Sequence, residues 1–315
     1  MKKILSIILG LAILAVLVVL VVYRDKPQTF TDYQNYRDAL SSFETDFGTM
    51  KYRDEGEGQV ILLVHGVPTS SWMYRKLADQ LVQEGYRVIV PDLMGFGASD
   101  AMEQYDDYDF AQQADILVSL MDNLGIQRWQ QVTHDMGGLV TWNMAKNVSQ
   151  RIEHLFVLNT ILYKEGFNPP IEPNYENSLH RWALGLHGHP LVGKIIVQNM
   201  LMTGTSGYDY SQSDKAGYWL ALRNKAGALV HFFTHIGEIK ENLDEYRSWL
   251  IDSGIPVSVV WGEDDPFLDS ISAELLKDDL RLSDDNVVII EGARHLIAES
   301  SPEVILQMIN KVNNG

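Results

Sequence analysis

The sequence predicts an α/β fold, a mostly parallel sheet with one helical insertion, and three observations carry that reading. Short apolar runs alternate with amphipathic stretches from about residue 49 to 162. The alternation breaks between 163 and 245, a helical, Trp- and Tyr-containing stretch with no buried strand run, and resumes from 246 to 315. Because strand runs flank the break on both sides, the two ends of the chain must build one sheet, with the insertion lying over it as a lid.

Taken in order, the first element is "ILSIILGLAILAVLVVLVVY" (4–23), twenty residues without a charge. That length suits ~30 Å of hydrocarbon and predicts a single transmembrane helix. A cleaved leader would carry an apolar region of roughly 7–15 residues ending in small side chains. Here "VVYRDKP" follows, so the span reads as an uncleaved membrane anchor. Lys2, Lys3 and the amino terminus precede it and Arg24 and Lys26 follow, a near balance that leans to a periplasmic or extracellular face for the rest of the chain. Residues 24–48 read as a polar linker.

"VILLVHG" (60–66) and "RVIVPDL" (87–93) are buried strands around a helix from about Trp72 to Gln83. "DILVSLMDNLG" is a helix closed by glycine, "QQVTHD" a strand, "LVTWNMAKNV" a helix and "LFVLNT" (155–160) a strand. After the lid come "PVSVVWG" (256–262), "NVVIIEG" (286–292) and a final helix from Pro302.

Composition excludes several functions. With 42 acidic against 25 basic side chains the charge is -17, which repels a phosphate backbone and argues against nucleic acid. The absence of cysteine excludes disulfides and thiol catalysis. "GEG" (56–58) lacks the third glycine and the helix of a dinucleotide loop, and no cofactor is expected. His231, His235 and Glu238 share one helix face, but not at the HExxH spacing and without a further ligand set, so no metal is expected either.

The chemistry gathers at "VTHDMGGL" (132–139), where Asp135 stands between a strand and a helix, with Thr133 and Gly137 in a small-x-nucleophile-x-small frame. No GxSxG occurs. An Asp at such a turn could equally be a helix N-cap. Two downstream strand ends add to it: "VVWGEDDPF" supplies acids and "EGARHL" supplies His295, in the order nucleophile, acid, histidine.

Together with "HGVP" (65–68) and "DLMGFGAS" (92–99), these segments resemble the α/β-hydrolase superfamily, in its epoxide hydrolase and haloalkane dehalogenase branch. The resemblance covers about 49–315 apart from the lid and implies an eight-stranded sheet. It implies Asp135 as nucleophile, His295 as catalytic histidine and Asp265 as triad acid through the WGxxD pattern, with Asp264 as the adjacent competitor and Asp269 a capping carboxylate. It assigns the oxyanion hole to the backbone N–H groups of Val67 and Met136. His65 and His134 read as buried structural hydrogen-bonders.

The resemblance leaves the substrate open. The expected reading is a covalent aspartyl-ester hydrolase, epoxide hydrolase-like, acting with water on a small lipophilic substrate. Haloalkane dehalogenation is the alternative, and a non-catalytic scaffold the third, suggested by the polar "RWQQVTHD" strand and by Leu222 where similar epoxide hydrolases have a lid tyrosine in "LRN". Met136 after the nucleophile and Val67 in the HGxP slot lack the side-chain N–H groups that would hold a halide. The lid candidates for substrate contact are Tyr163, Tyr218, Trp182 and Trp219, with Tyr175, Tyr208 and Tyr210 as further tyrosines.

Overall fold

The computed structural model describes residues 31–314 except 175 and 206–209. The anchor expected at 4–23 lies outside the described residues; among those described, no helix is long and apolar enough to cross a membrane. The stretch expected as a linker is partly structured. Thr31–Asp38 is a helix, α1, and Ser41–Thr45 the first strand, β1. α1 sets Tyr33 and Tyr36 edge-on against Trp72, with ring centroids 5.4 and 5.0 Å away. β1 is an edge strand whose residues are mostly solvated, so it lacks the apolar alternation that would have marked it.

The sheet has eight strands in the order β1-β2-β4-β3-β5-β6-β7-β8. The strands after β1 are β2 (Gly48–Glu55), β3 (Val60–Val64), β4 (Arg87–Pro91), β5 (Trp129–Asp135), β6 (Ile152–Thr160), β7 (Val257–Gly262) and β8 (Val287–Ile290). β1 and β2 pair antiparallel, as do β2 and β4, and every other pairing is parallel. Parallel strands need crossovers, here α2 (Arg75–Gln83), α3 (Phe110–Asn123) and α4 (Gly137–Val148). The near-continuous apolar runs of β3 and β4 follow from cover on both faces.

β5 lies at the centre of the sheet and is buried along its whole length despite its polar sequence. Trp129 Nε1 donates to Gln131 Oε1 (3.0 Å), Gln131 Nε2 to Thr141 Oγ1 (2.7 Å), and Thr141 Oγ1 to Thr133 Oγ1 (3.0 Å). These bonds satisfy groups whose unpaired burial would cost roughly 1–3 kcal/mol each, so the polarity is structural.

The insertion between β6 and β7 forms α5 (Ser178–Gly185), α6 (Val192–Gly204), α7 (Gln212–Leu220), α8 (Gly227–Thr234) and α9 (Ile236–Ser253). α9 packs on α4, in the core layer. After β7 come α10 (Ile271–Leu280), α11 (Ile297–Ser300) and α12 (Pro302–Asn314), the last packed on α2.

Candidate active site

Asp135 closes β5 with φ 53°, a left-handed conformation that L residues rarely adopt, and α4 begins two residues later. The turn is as tight as the sequence suggested because Gly137 has no side chain: a Cβ there would lie 2.7 Å from the His65 carbonyl and 2.8 Å from that of Val64. Gly66 is required on the opposite side, where a Cβ would meet the Asp135 Cβ and Oδ1 at 2.4 Å. Both glycines let the "HGVP" loop close onto the carboxylate.

Val67 N–H donates to Asp135 Oδ1 (2.7 Å), and the Met136 N–H also serves that carboxylate. His295 Nε2 stands 3.6 Å from Asp135 Oδ2, while its Nδ1 donates to Asp265 Oδ2 (2.8 Å). Asp265 is fixed in turn, its Oδ1 accepting from the Phe267 and Leu268 N–H groups at 2.8 and 3.1 Å. Thus Asp135, His295, Asp265, Val67 and Met136 come together beyond the ends of β3, β5, β7 and β8. Asp264 is exposed and meets Ala293 only through its backbone N–H, and Asp269 Oδ1 caps Ile271 N–H at 2.9 Å.

Asn159, which the sequence reading passed over, holds the acid loop. Its Nδ2 donates to Asp265 Oδ2 (2.6 Å) and its Oδ1 accepts from Gly262 N–H (3.0 Å). A lone amide at the end of the apolar run "LFVLNT" was the available signal. His65 links two loops, Nδ1 donating to the Gly66 carbonyl (2.9 Å) and Nε2 accepting from Leu93 N–H (3.0 Å). His134 Nε2 donates to the His295 carbonyl (2.9 Å), and burial pushes that imidazole down to about 3, so it stays neutral.

The electrostatics follow from burial against pairing. Burial pushes the Asp135 carboxyl up, against the opposing pull of His295 and the Met136 and Val67 amides. Burial also works against charge on His295, but the Asp265 carboxylate, by charge and hydrogen bond, and then Asp135 outweigh it and raise the imidazole above its ordinary value. At Asp265 burial is likewise overcome, by His295 and two backbone amides, leaving its carboxyl below the usual range.

A cavity opens over Asp135 and His295, walled by Phe167, Met200, Leu201, Phe232, Phe233 and Leu296. The other polar side chain on its wall is Thr69, whose hydroxyl donates to the Gly66 carbonyl at 2.8 Å. None of the four proposed lid contacts lines it. Tyr163 donates to Asp279 Oδ2 (2.9 Å) and Tyr218 to Glu299 Oε1 (2.9 Å). Trp219 is buried with the Lys194 and Arg223 cations near its ring, and Trp182 is 64% exposed. A buried phenol must find an acceptor, and the carboxylates lie at the seam between lid and core rather than in the apolar cavity. Tyr210 packs edge-on against Tyr218, 6.0 Å between centroids, whereas residues 175 and 208 lie outside the described residues.

At that seam Glu299, fully buried, receives Arg75 and Tyr218, with Lys76 Nζ 3.2 Å away. Arg75 also meets Asp214 of α7 at 2.5 Å. The network ties the lid to α2 and α11, and no single sequence segment carries it.

Chemically, the arrangement sets a desolvated carboxylate beside an imidazole that a second carboxylate orients, under an apolar roof. Among relatives, a haloalkane dehalogenase of Mycolicibacterium paratuberculosis is 31% identical over 174 residues, 53% of this chain and 56% of its own length. The match thus spans little more than half of that relative. Epoxide hydrolase 3 of Xenopus tropicalis is 24% identical over 265 residues, 79% of this chain and 70% of its own. Among solved structures, an epoxide hydrolase from Vigna radiata aligns with a TM-score of 0.67 at 20% identity, covering 88% of this chain and 98% of its own, a likeness of fold. Residues 59–302 match the family described as alpha/beta hydrolase fold, and the chain belongs to that family.

Proposed function

We propose that this protein is a hydrolase that works through an alkyl ester of Asp135, with a lipophilic epoxide as its substrate class. The observation that carries the reading is the Asp135 carboxylate at the elbow, held by the Val67 N–H at 2.7 Å with His295 Nε2 3.6 Å away. A serine there would have to lose a proton before attack, whereas an ionised carboxylate is already nucleophilic toward a saturated carbon.

In the first half-reaction an Asp135 oxygen bonds to an epoxide carbon, the C–O ring bond breaks, and the alkoxide takes a proton from water. In the second, His295 Nε2 removes a proton from water, whose oxygen attacks the ester carbonyl carbon. Asp265 supports the imidazolium that forms. The Val67 and Met136 amides face the tetrahedral oxyanion, each such donor contributing on the order of 3 kcal/mol. Collapse breaks the bond between Asp135 Cγ and the alkoxy oxygen, the His295 imidazolium returns its proton to that oxygen, and the diol leaves while Asp135, losing the proton brought by water, is again a carboxylate.

One observation favours haloalkane dehalogenation as a second reading: a halide leaves without a proton, and among the described residues the cavity wall presents no tyrosine hydroxyl. It presents no indole N–H either, since Trp182 and Trp219 lie elsewhere, which keeps the epoxide reading first. Of the two features that suggested a scaffold, the polar β5 strand has a structural account, its side chains bonding one another and Thr141 of α4, whereas Leu222 in the lid tyrosine position stands.

The test is His295→Gln, which removes the base of the second step. Incubated with a panel of lipophilic epoxides and short bromoalkanes, it should accumulate an adduct on the peptide carrying Asp135, read by mass spectrometry. An epoxide adduct supports the first reading and bromide release with a bromoalkane adduct the second. No adduct from any compound overturns both.

A further inference from the structure

A second cluster of ligand atoms sits beside the lid, away from Asp135. One ligand atom from each of Asp106, His231 and His235 lies within 4.8 Å of the other two. Asp106 begins a short 3-10 turn, Asp106–Tyr108, that leads into α3 of the core; His231 lies on α8, the last lid helix; His235 lies at the junction of α8 and α9. Asp109, Glu238 and Asn242 line the same recess. The sequence reading saw His231, His235 and Glu238 on one face and expected no metal, for want of a further ligand; the tertiary structure supplies Asp106.

The two imidazoles are prepared differently, and both preparations suit ligation. His235 donates Nδ1–H to the His231 carbonyl (2.7 Å), the backbone bond that fixes ring and tautomer in metal-binding histidines and leaves Nε2 as the nitrogen that can ligate. His231 is 94% buried by its 6% exposure, yet its Nδ1 has no hydrogen-bond partner. The rings stack with centroids 4.0 Å apart, and His231, which lines the acid-lined recess, keeps a buried nitrogen without a partner, a cost that coordination would remove.

We propose that Asp106, His231 and His235 form a binding site for a divalent transition metal of the zinc class, with Glu238 or water completing four-coordination. Two imidazoles and a carboxylate are the donor set that suits such ions better than calcium or magnesium. Bound there, the ion clasps the core turn to α8. The neighbours of His231 in that helix, Phe232 and Phe233, wall the cavity over Asp135, so occupancy fixes the roof of the active site. The site stands independently of the aspartyl-ester reading.

The test is titration of the full chain, freed of metal by chelation, with Co²⁺ followed by Zn²⁺ displacement. The native chain should bind one Co²⁺ with the visible absorption of four-coordinate cobalt, lost on adding Zn²⁺. His231→Gln and Asp106→Asn should each weaken binding by more than the roughly 10–100-fold that an outer-shell change costs. His189→Gln, on the separate exposed lid loop, should leave it unchanged. Asp106 is exposed on a turn, so its variant carries the test even where His231→Gln fails to fold. No four-coordinate cobalt spectrum in the native chain overturns the site, as does affinity in Asp106→Asn within threefold of native.

Discussion

The elbow and the lid face each other across one cavity and are built on opposite principles. Every residue of β5 is buried, and the atoms around Asp135 are located by contacts that leave little freedom: two glycines, backbone amides and a relay through His295, Asp265 and Asn159. The lid leaves Leu179, Trp182 and Met202 more than 60% exposed, at 64%, 64% and 68%. It presents apolar side chains to the cavity and turns the buried Tyr218 hydroxyl to the seam with the core. Chemistry is thus positioned by the sheet, while the lid supplies an apolar roof and is held at its edge.

That contrast can be broken most severely at Asp135. Asp135→Ala should lower turnover by on the order of 10⁴-fold or more, the scale of losing a nucleophile. Its melting temperature should hold or rise, because burial disfavours this carboxylate and Ala removes it. A large fall in melting temperature would mean that the carboxylate serves the fold, as a helix cap does.

Asp265→Asn is next, expected to cost up to about 10⁴-fold in turnover through loss of the carboxylate that orients the imidazole. It also has a pH signature. On the proposed mechanism the ester-hydrolysis step needs the base form of His295, whose pKa is raised, so native turnover should climb with pH through a midpoint above the ordinary imidazole value. Removing the Asp265 charge removes the largest raising influence, and the midpoint should move to lower pH. A pH–rate profile with an unmoved midpoint would assign that limb to another group.

The smallest effect belongs to the lid. Tyr218→Phe deletes one hydrogen bond to the buried Glu299 and should cost about 1–3 kcal/mol, the range for such bonds to charged or buried groups. Thermal unfolding reads the loss, while kcat stays within a few-fold of native because the hydroxyl lies off the cavity. A large loss of kcat with unchanged stability would restore Tyr218 to the reaction and blur the division between the two regions.

How much was legible follows the same division. The parallel-sheet pattern and the tight turn at Asp135 could be read from local runs, while the roles of Asp135, Asp265 and His295 came from the family resemblance of the motifs that close their strands. β1 and α1 could not, because an edge strand and a short polar helix carry little apolar pattern. Asn159 was hidden as one amide in a strand. Tyr163 and Tyr218 were misplaced because a tyrosine in a lid carries no record of which way its hydroxyl points; each turned to a carboxylate distant in sequence.

The sequence alone determined the strand runs, where the backbone must turn without a side chain, and the net charge and absence of cysteine. Only the tertiary structure decided that His295 reaches Asp135, that the cavity wall is apolar, and that Asp106 meets His231 and His235. The reason is one of range. Periodicity and turn chemistry act over a few residues of chain, whereas hydrogen bonds, ion pairs and ligand sets are made between atoms that packing alone brings within a few ångströms.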